Sequence, residues 1–182
     1  MRVRVIVGLV AALCCACGKS HRAGRSPKET MRNLEAALQD ADMGAVYDML
    51  SAQGQAEIEA SLGGFRAALA AVPEAQLKAA GIAGFRKMSA RDMLVAACEK
   101  AEDMNPKALE PLKSLTIVVT DVRQSGDRAT VKTSVLLRGR AHDETVVLVR
   151  ESGLWKLDGN GLLSDLPVPT TPALPSCSGP AP

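Results

Sequence analysis

Residues 115–158 read LTIVVTDVRQSGDRATVKTSVLLRGRAHDETVVLVRESGLWKLD, and the spacing of apolar residues here decides the fold class. Leu115, Ile117 and Val119 alternate with Thr116 and Thr120. Ala129, Val131, Thr133, Val135 and Leu137 alternate with Arg128, Thr130, Lys132 and Ser134. A period of two with polar residues between marks a strand that buries one face and wets the other. Ser125-Gly126-Asp127, the run Arg138 to Asp143, and Ser152-Gly153 read as turns. Glu144 to Glu151 is then a third strand, apolar on both faces and suited to a central place. Leu154 to Asp158 is a fourth, with Trp155 and Leu157 inward. Consecutive strands joined by tight turns make an antiparallel meander.

Upstream of residue 115 the period changes to that of helices. Ser26-Pro27-Lys28-Glu29 has a capping serine, a proline suited to the first helical position and a glutamate placed for a capping box. Met31, Leu34, Leu38 and Ala41 follow at three- and four-residue steps, on one face. Asp42 caps a short second helix with Val46, Tyr47 and Leu50 inward, Tyr47 reading as a core residue with its hydroxyl near the surface. Ser51 to Val72 is longer, and Gly63-Gly64 predicts a break there. Further helices cover Pro73 to Ala80, a stretch opened by Ser89 with Met93, Leu94, Ala97 and Cys98 on its apolar side, and Pro106 to Lys113. Gly-Phe-Arg occurs twice, at 64–66 and 84–86, too short a repeat for a solenoid. Helices first and strands afterwards define an α+β domain, with N-terminal helices packed on a curved C-terminal antiparallel sheet of about four strands.

The N-terminus carries a different kind of information. Arg2 and Arg4 precede the apolar run Val5 to Cys17, VIVGLVAALCCAC. Basic residues and then a short apolar core are the pattern of a secretory signal. A helix spanning a bilayer needs about 20 apolar residues, so the run is too short to cross comfortably. Leu13-Cys14-Cys15-Ala16-Cys17-Gly18 resembles the lipobox of bacterial lipoproteins, in which a small residue precedes the cysteine that takes a diacylglycerol thioether and becomes the new N-terminus. Ala16 before Cys17 fits. Cys14 stands where the pattern usually has Leu, and Cys14 and Cys15 compete with Cys17. The resemblance implies a signal peptide over 1–16, acylation at Cys17 and attachment to a membrane. Gly18, in place of the Asp that retains such proteins at the inner membrane, implies the periplasmic side of the outer membrane.

Of 182 residues, removal of the 16-residue leader leaves 166, enough for one domain with a real core. The leader takes two of 22 basic residues, leaving 20 against 20 acidic ones. A neutral surface gives no electrostatic case for nucleic acid. Trp155, Tyr47, Phe65 and Phe85 are the whole aromatic complement, which provides no stacking platform for bases. With Cys17 acylated, Cys98 and Cys177 remain, either paired in one disulfide of an oxidising compartment or as two separate thiols. Residues 18–25, GKSHRAGR, read as a flexible spacer, with His21 solvated in it. The domain then covers 26–166, and 167–182 is a proline-rich tail.

The capped helix from Ser26 to Gln39, the DMGAVYDML second helix and the closing Gly-Leu-Trp-Lys-Leu-Asp strand are similar to the cystatin-like domains of the nuclear-transport-factor-like superfamily, which many bacterial lipoproteins carry. The resemblance implies a curved sheet around the first helix with a cone-shaped pocket between them. It implies two classes of function, beside a third possibility that the pocket is merely filled core and the domain a spacer. One is a non-catalytic domain that binds an apolar small ligand or an envelope protein. The other is a cone-pocket lyase or isomerase, which needs a sheltered general base. Asp121, at the end of the inward Leu115–Val119 series, and His142, in a turn, are the residues to examine, and both read more simply as solvated. Neither a Gly-x-Ser-x-Gly elbow nor metal-ligand spacing is present, so no catalytic residue, metal or cofactor is assigned.

Overall fold

The computed structural model describes residues 21–159. The leader, Cys17, Cys177 and the proline-rich tail lie outside them. Six helices come first: α1 (Pro27–Gln39), α2 (Met43–Asp48), α3 (Ala52–Ala70), α4 (Glu74–Ala79), α5 (Ala90–Met104) and α6 (Glu110–Lys113), with a 3₁₀ turn at Ala83–Lys87 before α5. Four strands follow, β1 (Thr116–Ser125), β2 (Arg128–Leu137), β3 (Arg140–Glu151) and β4 (Leu154–Leu157). They form one antiparallel sheet in the order β1-β2-β3-β4. The chain is thus α+β, with an open meander laid against the helices.

The alternation in β2 is the alternation of burial: Ala129, Val131 and Thr133 are buried while Arg128, Thr130 and Lys132 are exposed. Across the sheet, Val131 lies opposite Val146 and Ala129 opposite Leu148, which in turn faces Leu157. Helix α1 sets Met31, Leu34, Ala37 and Leu38 into this face. Its Ser26 cap forms as expected, with Oγ accepting from the Glu29 N–H, but Glu29 reaches back to the N–H of Arg25 rather than to that of Ser26. Asp42 caps α2 through the Ala45 N–H. Ala41 is not on the apolar face of α1: the helix ends at Gln39, and Ala41 takes φ +54°, the left-handed position that follows many helices.

Four local expectations are corrected. Helix α3 runs unbroken through Gly63-Gly64. Each glycine costs about 1 kcal/mol against alanine, but both keep the helical ladder and nothing inserts beside them. The turn expected over Arg138 to Asp143 is only Arg138-Gly139, both at positive φ, as is the pair Ser152-Gly153. Such pairs match the twist of a two-residue hairpin. β3 is therefore four residues longer at its start, and His142 sits in the strand opposite Val135. Ala97 is exposed on α5, whose buried residues are Ala90 and Met93.

The fourth correction concerns the spacer. Residues 21–25 are packed onto the domain. The Trp155 N–H donates to Gly24 O at 2.8 Å, and the Gly24 N–H donates to Thr30 Oγ1 at 2.9 Å. Asn33 Nδ2 donates to Arg22 O at 2.8 Å. Ala23 and Gly24 are buried, and a Cβ at Gly24 would stand 2.6 Å from the Thr30 nitrogen. Only a glycine permits that approach. This segment covers part of the free edge of β4, and Leu50, bridged to Leu157, covers the rest, so that edge is closed to further pairing.

The two Gly-Phe-Arg copies act on each other's segments. Arg66, on α3, donates to Met88 O at 2.8 Å and pairs with Glu59. Arg86, in the 3₁₀ turn, donates to Leu69 O at 3.0 and 2.7 Å, which also accepts from the Val72 N–H, and to Val72 O just beyond the end of α3. Replacing Arg86 with Met is expected to destabilise this arm by about 1–3 kcal/mol, the cost of stranding such acceptors. Hydrogen exchange should quicken at residues 71–80 and stay unchanged in β2 and β3. Unchanged exchange at 71–80 would remove Arg86 from this role.

Candidate functional site

The cone expected between α1 and the sheet is filled. Met31, Leu34, Val131, Leu148 and Leu157 are each at most 1% exposed where helix meets sheet. The side chains of α1 share one buried cluster with the inner face of the sheet, so the candidate polar groups lie around it. Asp121 lies beside a bulge in β1 at Thr120, where the register slips between Val119 and Asp121. Its carboxylate accepts from Arg123 Nε at 3.0 Å and is partly exposed. His142 is exposed on β3. Neither holds the sheltered position that a cone base requires. Tyr47 is partly buried against the core, as read, and burial followed by the Glu59 and Asp48 carboxylates holds its phenol above the ordinary value.

The charged residues gather elsewhere. A cleft of about 450 Å³ opens beside the N-terminal segment and is lined by His21, Arg22, Asp42, Asp48, Arg91 and Lys156. Local structure fixes most of them. The Asp42 carboxylate is held by its capping bond, and Asp48 closes α2. Arg91, in the first turn of α5, makes a bidentate pair with Asp48, Nε to Oδ1 at 3.0 Å and Nη2 to Oδ2 at 3.1 Å. That hydrogen bond raises the Arg91 pKa above its ordinary value. The guanidinium lies over Gly44, where a Cβ would come within 2.8 Å of Nη2. His21 is not a solvated linker residue: Nε2 lies 2.9 Å from Asp40 Oδ2, and the ring is 9% exposed.

A histidine oriented by an aspartate is one half of a nucleophilic dyad. No serine, threonine or cysteine among the described residues lines the cleft, so these residues bring no nucleophile to the pair. No group of three His, Cys, Asp or Glu among the described residues is placed to hold a metal. What the cleft offers is carboxylates and cations side by side, suited to a polar partner bearing both signs. No local pattern announces this cleft, because Asp48 and Arg91 are 43 residues apart and residues 18–25 read as linker. A second, smaller depression of about 330 Å³ lies between Lys28 and the β1 bulge.

Cys98 is half-buried on α5, and burial, then the Glu102 carboxylate, raises its thiol pKa. A raised pKa means less thiolate at a given pH, and the thiolate is the nucleophile. Alkylation of the native protein near pH 8 is expected to be at least several-fold slower than after denaturation. A rate as fast as that of a free thiol would contradict this placement. Failure to react even when denatured without reductant would show that Cys98 is already bonded.

No helix among the described residues is long and apolar enough to cross a membrane. Comparison of the chain with protein-family models, curated proteins and solved structures finds no match.

Proposed function

We infer that this chain is a lipid-anchored protein of the bacterial cell envelope, held at the periplasmic side of the outer membrane, whose cystatin-like domain serves binding rather than chemistry. The observation that carries the reading is the leader: two arginines, a short apolar run, and Ala16-Cys17-Gly18 at its end. Two or more acyl chains give stable anchoring where one gives only reversible attachment. The domain supports the binding half of the reading by what it presents. Its concave face is occupied by its own helix, and neither Asp121 nor His142 is sheltered. The outer face of the sheet carries exposed Val118 and Leu136, and the cleft beside Arg22 carries both signs of charge. These favour a protein or polar partner in the envelope over an apolar molecule inside the cone. Peptide mapping of the native membrane fraction tests the reading. The mature N-terminal peptide is expected to begin at Cys17 and to carry acyl mass. An unmodified peptide beginning at Met1 would overturn it.

A further inference from the structure

We propose that the charged cleft at the N-terminal segment lies against phospholipid headgroups, because the chain between the acylated cysteine and the folded domain is too short to hold it elsewhere. This rests on the lipid anchor proposed above. A tether of eight residues after Cys17 would let the domain tumble freely above the surface. The folded domain takes up most of that length. His21 is already bonded to Asp40, Arg22 O accepts from Asn33, and Gly24 is bonded to both Thr30 and Trp155. Three residues, Gly18, Lys19 and Ser20, remain between Cys17 and the first docked residue. Four residue steps span at most ~14 Å even when fully extended. A headgroup layer is itself about 5–7 Å thick on each side. His21 lines the cleft, so the cleft stays within that reach of the lipid surface.

The chemistry of the cleft suits this neighbour. Zwitterionic headgroups carry a phosphate and an ammonium. Arg22 has no side-chain partner among the described residues and is exposed, and it faces the phosphate with Lys156 beside it. Asp42 and Asp48 face the ammonium. With Arg22, Arg91 and Lys156 against Asp42 and Asp48, the cleft carries both signs in near balance and matches a zwitterionic headgroup. The β1 edge of the sheet, at the far end of the strand order from β4, is then turned towards the periplasm.

The test uses the full acylated chain in phosphatidylethanolamine-containing vesicles. Its carboxylates are activated with a water-soluble carbodiimide and amidated by glycinamide added in large excess over lipid, and the glycinamide-modified residues are read by peptide mass, coupling to the lipid amine being counted as contact with the headgroup. A second chain, equally acylated, has about twelve Gly and Ser residues inserted after Ser20, enough for a flexible linker to lift the domain clear. In the native chain Asp42 and Asp48 are expected to react several-fold more slowly than in the lengthened one, with Asp121, on the far β1 strand, and the exposed Asp143 reacting alike in both. Equal rates at Asp42 and Asp48 in the two chains would overturn the inference while leaving the anchor in place. Failure of the native chain to acquire acyl mass would overturn both.

Discussion

Replacing Cys17 with Ser is expected to stop maturation altogether. Cells carrying Cys17→Ser should accumulate a chain that keeps Met1 and lacks acyl mass, while the wild-type chain loses residues 1–16 and gains it. The effect is all or none because the cysteine sulfur is the atom that takes the diacylglyceryl group, and a hydroxyl at the same position does not form the thioether. The energetics are equally one-sided. A single fatty chain holds a protein to a membrane with a constant of about 10⁴ M⁻¹, whereas a second chain makes attachment stable. Without either, only the apolar run from Val5 remains, which is too short to span well. Cys14→Ser and Cys15→Ser, made singly, are expected to leave mass and attachment unchanged. If Cys15→Ser blocked acylation and Cys17→Ser did not, the modified residue would be Cys15, and the short tether would lengthen by two residues.

What the sequence disclosed about the fold follows from where burial is one-sided. β2 was legible because from Ala129 to Thr133 one face lies in the core and the other in water, which writes a period of two into the residues. The start of β3 was not legible for the same reason. Arg140, His142 and Glu144 share the face of Val146 and Leu148, as the pairing of His142 with Val135 requires, but they lie beyond the cover of the helix. With neither face buried, the alternation vanishes and polar residues imitate a turn. Residues 21–25 were misleading in another way. They are held by backbone groups, Gly24 O and Arg22 O among them, and every residue has those. Nothing in GKSHRAGR distinguishes a docked strand from a loose one. The charged cleft was hidden by distance along the chain, since no local pattern joins Asp48 to Arg91. The lipobox-like reading at Cys17 rests on local letters alone, since a processing signal is a linear motif, and it lies outside the described residues.

The largest effect on stability is expected from Trp155→Ala. Trp155 is 2% exposed, and its ring is among the bulkiest side chains in the core. Truncating a buried aromatic residue to alanine costs about 3–5 kcal/mol, from lost burial and the cavity left behind. Domains of this kind have only about 5–15 kcal/mol in all, so the variant approaches the limit of folding. The backbone bonds at this position survive the substitution, which separates packing from hydrogen bonding. Thr30→Val makes the complementary change. It keeps the volume but strands the Gly24 N–H and the Trp155 carbonyl, both now held by Thr30 Oγ1 at 2.9 and 2.8 Å. Leaving such groups without partners costs about 1–3 kcal/mol. Urea unfolding followed by circular dichroism, which needs no tryptophan, should give midpoints in the order wild type, Thr30→Val, Trp155→Ala, with little change in slope. A loss under about 1 kcal/mol for Trp155→Ala would mean that the ring is not packed as described. The docking of Gly24 on β4, and with it the shortness of the tether, would then lose its support.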